Sequence, residues 1–156
     1  MRYLVVVANV KFEIEEWLTS SLPSNLMAVT LTMKQRFGGR GIDPVTASSN
    51  MRHFLNVLNQ TVFGNSYRRH GKRLTVIPIL EMSAWDRLHY HVTMEIPDRF
   101  DSETFADLIR SSWSRTDLGY NEIDIQPLYS KGWIEYCLKK FDSSASLDIE
   151  NVSINR

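Results

Sequence analysis

Arg87-Leu88-His89-Tyr90-His91-Val92-Thr93-Met94-Glu95-Ile96 alternates without a break. Leu88, Tyr90, Val92, Met94 and Ile96 fall on one side, and His89, His91, Thr93 and Glu95 fall on the other. Successive side chains of a strand point to opposite faces, so this stretch reads as a half-buried β-strand whose polar face carries two imidazoles aimed the same way. Just upstream, Leu74-Thr75-Val76-Ile77-Pro78-Ile79-Leu80-Glu81 is a strand by length and β-branching. Pro78 inside it argues for an edge or a bulge. Met82-Ser83-Ala84-Trp85-Asp86 joins the two as a turn, which brings Glu81 onto the strand beside His89.

Outward from this hairpin, Leu26 to Lys34 shows the same period of two, with Met27, Val29, Leu31 and Met33 on one face. Asp43 followed by Pro44 is an N-cap and a first-turn proline. The spacing of Met51, Phe54, Leu55, Leu58 and Val62 predicts a helix ending near Gly64. Asp101 or Ser102 opens a second helix carrying Phe105, Leu108, Ile109 and Trp113, and Ile123 and Ile125, with Leu128 beyond them, mark another strand. A last helix is expected over Lys131–Phe141, with Ile134, Cys137, Leu138 and Phe141 as its apolar stripe. Before Leu26 the sequence suggests a short strand and a helix from Phe12 to Leu18. From Leu26 onward the order is β-α-β-β-α-β-α, which predicts an α+β, ferredoxin-like split βαβ fold. Such a fold has an antiparallel sheet, here of about five strands, with two helices on one face and the final helix on the other. The expected core spans about residues 26–141, and 142–156 reads as a loose polar tail.

The 156 residues fit a single domain, 1–156, with no repeat, linker or low-complexity tract. A hydrophobic fraction of 43% and a charged fraction of 23% exclude disordered and fibrous classes. No apolar run approaches the ~18–20 residues of a membrane span. The apolar start runs into Lys11-Phe12-Glu13, so no signal peptide is read, and one cysteine, Cys137, excludes a disulfide framework or a multi-cysteine zinc site. An intracellular chain is expected. Formal net charge is zero, yet the stretch from Lys34 to Arg73 holds eight basic residues and one acidic one, Asp43. A local basic face can attract phosphates in a neutral protein, although solvated loop charges would look the same. On this ground Arg68, Arg69, Lys72 and Arg73 are expected to hold nucleic acid, with Lys34 and Arg36 as secondary candidates. Trp85 either stacks on a base or is a loop aromatic pinned by packing.

Three features carry chemistry. His89 and His91 can share a cation, or can simply be packed. Glu81 can reach the same ion from the neighbouring strand, and a set of two imidazoles and one carboxylate leaves positions open, as a catalytic centre requires. In the final helix Tyr136 and Lys139 are an i, i+3 pair, and a tyrosine can serve as a covalent nucleophile if a metal or cation assists it. Together these resemble the HUH endonuclease superfamily (histidine-hydrophobe-histidine), in particular the rolling-circle replication initiators. Val29-Thr30-Leu31-Thr32 is similar to that family's first motif, His89-Tyr90-His91 to its second, and Tyr136 with Lys139 to its Tyr-x-x-Lys third, 45 residues after His91. The resemblance covers roughly Leu26 to Phe141.

The resemblance implies a metal-dependent endonuclease of single-stranded or stem-loop origin DNA. Mg²⁺ or Mn²⁺ would be held by Glu81, His89 and His91. Tyr136 on the final helix would form a 5′-phosphotyrosine adduct, with Lys139 stabilising the phosphate or positioning the metal site. It further implies replication of a plasmid or phage in the cytoplasm of a prokaryotic host, with a host helicase or replication machinery as partner and no membrane. A single-tyrosine transposase of a small insertion sequence is the nearest alternative, disfavoured because Lys140 stands where such enzymes carry glutamine. A non-catalytic nucleic-acid-binding module of the same fold, with Tyr90 as a stacking surface, is the alternative of another class.

Overall fold

Alternation in the sequence becomes alternation in burial. The computed structural model describes residues 25–83, 85, 87–128, 132 and 145–155, together with positions 9, 12, 13, 15 and 16. Within it Leu88, Tyr90, Val92 and Met94 are buried, whereas His89, His91 and Glu95 stay partly accessible. In chain order the elements are β1 (Leu26–Met33), β2 (Arg36–Phe37), β3 (Arg40–Gly41), α1 (Pro44–Phe63), α2 (Asn65–His70), β4 (Val76–Met82) and β5 (Leu88–Glu95). They are followed by α3 (Ser102–Ser114), β6 (Gly119–Leu128), β7 (Ala145–Leu147) and a 3-10 turn at Ile149–Asn151.

The main sheet is five-stranded in the order β6-β1-β5-β4-β7, and every pairing is antiparallel. Its first four members make the split βαβ arrangement of a ferredoxin-like fold, as the element order predicts. Both long helices begin where the sequence places their caps. Asp43 accepts a hydrogen bond from the Thr46 amide and Asp101 one from the Thr104 amide, each at 2.7 Å. These bonds are the main reason both carboxyls lie below the ordinary aspartate range. Met51, Phe54 and Leu58 of α1 join Phe105, Ile109 and Trp113 of α3 in the buried core with Val29, Leu31, Tyr90 and Val92 of the sheet. Trp113 packs edge-on to Phe54 and donates from Nε1 to the Thr32 carbonyl at 3.0 Å, which ties α3 to β1. Gly119 is required where β6 starts, because a Cβ there would run into the Trp113 carbonyl.

The C-terminal stretch corrects the expectation of a loose tail from Asp142. Residues 145–155 lie along β4, with Ile79 opposite Leu147, Leu80 opposite Ser146 and Glu81 opposite Ala145. The pairing is interrupted where the 3-10 turn swings out, then resumes as a bridge between Val76 and Ser153. Pro78 sits in that interruption. Its carbonyl accepts from the Asp148 amide at 3.0 Å, and its missing N–H falls where no partner strand asks for one. The irregularity expected from Pro78 is therefore in the neighbouring chain. Behind it, Asp148 collects three donors: Tyr90 Oη at 2.7 Å, Asn151 Nδ2 at 2.8 Å and Ser48 Oγ at 3.0 Å. Asn151 is itself buried and also bonds the Ser48 carbonyl. This network fastens the segment to β5 and α1.

The final helix expected over Lys131–Phe141 lies outside the described residues except for Gly132, and the expected opening strand is likewise not described. No helix among the described residues is long and apolar enough to cross a membrane.

Candidate metal centre

Register decides which side chains meet. Glu81 is the direct cross-strand partner of His89, while His91 stands two residues further along β5, opposite Ile79. All three side chains therefore leave the same face of the sheet, away from α1 and α3. Glu81 Oε2 lies 2.8 Å from His91 Nε2 and 3.7 Å from His89 Nε2, and the two Nε2 atoms are 3.1 Å apart. The three side chains keep only 16–20% of their exposure, a partly dry setting.

The donor set fits one divalent cation. Two ligands each ~2.1 Å from a shared ion stand about 3.0 Å apart at right angles and about 3.4 Å apart at the tetrahedral angle. The observed separations of 2.8, 3.1 and 3.7 Å bracket those values, so the backbone need not move to close round an ion. Among the described residues this is the group of histidine and carboxylate side chains that could hold a metal, with ligand atoms within 4.8 Å of one another. Two nitrogens and one oxygen suit first-row divalent ions, and the identity of the ion is left open by the geometry.

Thr30 supplies a contact whose role the sequence does not reveal. It lies opposite His91 on β1, and its Oγ1 is 3.3 Å from His91 Nδ1. In the tautomer with the proton on Nδ1, the Thr30 hydroxyl accepts it and Nε2 is left as the ligating atom facing Glu81 and His89. The only signal for it is its place on the polar face of the Val29-Thr30-Leu31-Thr32 strand.

Other expected residues fall into three groups. Tyr136 and Lys139 lie outside the described residues. Tyr90 is fully buried on the helix face, and burial, followed by the Asp148 carboxylate, pushes its phenol far above the ordinary tyrosine range. It is neither a stacking platform nor a nucleophile. The basic residues divide between the two ends of the sheet. Lys34 and Arg36 follow β1 at the end where Thr32, His89 and Glu81 align. Trp85 is in the turn at that same end and is 87% exposed, which removes the reading in which packing pins it. Arg68, Arg69, Lys72 and Arg73 sit at the other end, beyond α1 and just before Val76, which aligns with Met94 and Met27. Five strand steps from Val76 to Glu81 make about 17 Å along the sheet alone. The structure therefore does not bring this group to the donor set. His53 and His70 are exposed on the helices and also stand apart from it.

No family model matches the chain, and no curated protein or solved structure matches it either.

Proposed function

We propose that this protein is a metal-dependent HUH-type endonuclease that nicks and rejoins single-stranded DNA through Tyr136, as in the initiation of rolling-circle replication. The observation that carries the reading is the convergence of Glu81, His89 and His91 on one face of a ferredoxin-like sheet, with ligand atoms at single-ion spacing. When bound, Mg²⁺ or Mn²⁺ would supply Lewis-acid activation of a phosphodiester. The chain's own part is covalent. The Tyr136 phenolic oxygen forms a bond to phosphorus, the bond from phosphorus to O3′ breaks, and the phenolic proton ends on the departing oxygen. The products are a 5′-phosphotyrosine and a free 3′-OH, and the reverse reaction rejoins the strand without ATP. Lys139 stabilises charge on the phosphate or positions the metal site.

Sequence order permits Tyr136 to act at the donor set. Among the described residues β6 ends at Leu128 on one edge of the sheet, and β7 begins at Ala145 on the other edge, directly opposite Glu81. Tyr136 lies nine residues before Ala145 in sequence, and nine residues reach at most ~30 Å. The burial of Tyr90 weighs against the reading as a base-stacking module, which needs that ring on the surface.

The test is a denaturing gel of labelled single-stranded DNA spanning the gene and its flanks, incubated with protein and Mn²⁺. A protein–DNA adduct should form, and should be absent for Tyr136→Phe and in EDTA. Absence of cleavage and adduct in Mn²⁺, or full activity in EDTA, refutes the proposal.

A further inference from the structure

The end of the sheet that carries the donor set also carries an exposed hairpin that no other strand supports. β2 and β3 are two residues each, joined by Gly38 and Gly39 with φ of 61° and 78°, and every residue from Arg36 to Gly41 is exposed. Both positive dihedrals suit a tight two-residue turn and account for the two glycines. So small a hairpin has no core of its own, and Gln35 anchors it instead. The Gln35 amide donates to the Met33 and Leu88 carbonyls, each at 2.9 Å, and accepts from the Leu88 amide at 2.8 Å. Leu88 immediately precedes His89, so the hairpin is fixed to the strand that carries both imidazoles.

Beside it, the turn from β4 to β5 is closed by a bond from the Ser83 amide to the Arg87 carbonyl at 2.9 Å, and it presents Trp85 and Arg87 to solvent. Phe37 on the hairpin is 48% exposed. None of Lys34, Arg36, Arg40 or Arg87 has a carboxylate partner among the described residues. The far basic cluster differs in position rather than in pairing: Arg68 bonds the Gln60 side chain at 2.9 Å and Arg73 lies over the Tyr67 ring, at the end of the sheet away from the donor set.

Resting on the function proposed above, we propose that the Arg36–Gly41 hairpin together with the Trp85–Arg87 turn is the platform that holds single-stranded DNA at the donor set, and that the Arg68–Arg73 cluster is not. Arg36 donates to the Gly39 carbonyl at 2.7 Å within the hairpin, and cations with no carboxylate among the described residues to neutralise them supply phosphate contacts while exposed rings supply stacking. A duplex hides its base faces within its own stack, so exposed aromatics beside cations select a single strand.

The experiment is fluorescence anisotropy with a labelled thymidine oligonucleotide in EDTA, over a range of NaCl concentrations, on the full chain. All substituted positions are exposed, and circular dichroism checks that each variant folds. Arg36→Ala/Arg40→Ala should lower the slope of log affinity against log salt by about 1.4, from two lost contacts at ~0.7 each. Trp85→Ala should weaken binding by about 5-fold to 150-fold, the range for one lost base stack. Arg68→Ala/Arg69→Ala should leave the slope unchanged. The proposal is overturned if the unsubstituted protein does not bind, if the hairpin variant keeps its slope, or if the Arg68/Arg69 variant loses as much. Binding in EDTA requires neither metal nor Tyr136. The expected pattern without any covalent adduct therefore sinks the nuclease reading alone, and an adduct with unchanged slopes sinks the platform alone.

Discussion

Replacing Tyr90 by phenylalanine separates the two faces of the strand that carries the histidines. The ring is fully buried and keeps its packing in the variant, so the change is confined to the hydroxyl and its 2.7 Å bond to Asp148. A hydrogen bond to a charged group contributes ~1.5–3 kcal/mol. Asp148 is only partly buried and keeps Asn151 Nδ2 and Ser48 Oγ as donors, so the loss belongs at the lower end. We expect about 1.5 kcal/mol of destabilisation, read as a Tm lower by roughly 3–6 °C for a chain of this size. Calorimetry supplies that number, and titration with Mn²⁺ supplies the control, since the hydroxyl faces away from Glu81, His89 and His91. A variant as stable as the parent would show that Asp148 does not fasten the C-terminal segment. A folded variant that has lost Mn²⁺ binding would show that the two faces are not independent.

Four further outcomes can be measured. His91→Ala should abolish Mn²⁺ binding by calorimetric titration, and Thr30→Val should weaken it by about 10-fold through loss of the contact that orients His91; unchanged affinity in the valine variant would remove Thr30 from the site. Gly119→Ala should cost about 1–3 kcal/mol in chemical denaturation, because the new methyl group meets the backbone carbonyl of Trp113 rather than a movable side chain. The caps Asp43 and Asp101 have pKa values lowered in the folded state, so their contribution is present at neutral pH and is lost as pH falls through the folded values. Thermal melts from about pH 4 to about pH 2 should therefore fall less steeply for Asp43→Asn/Asp101→Asn, which retains capping without titration, than for the parent.

The alternation of Leu88–Glu95 and the caps at Asp43 and Asp101 are local signals, and they appear in the structure as the sequence predicts except at Thr93, which is buried although it shares the histidine face. Glu81, His89 and His91 were legible because a hairpin brings near neighbours in sequence together. What depends on distant pairing was not. Ala145–Leu147 is three residues long, follows a polar run, and is a strand only because β4, some 65 residues earlier, accepts it. Asp148 likewise gives no sign of its bond to Tyr90. The basic stretch looked continuous because charge was counted along the chain. The 20-residue α1 separates its two halves by about 30 Å, and only the fold reveals which half stays beside the histidines.

The placement of β7 also has a consequence during synthesis. Val76-Ile77-Pro78-Ile79-Leu80 is uncharged, β-prone and wholly buried in the finished protein. The strand that flanks it on the β7 side is 63 residues downstream of Met82 and reaches it, at ~5–20 residues per second, about 3–13 s later. Throughout that interval the segment is an aggregation hazard, open to a neighbouring nascent chain. Pro78 stands at its centre and has no N–H to offer an intruding strand. The residue that the native sheet accommodates by a 3-10 detour thus serves as a gatekeeper while the chain is incomplete.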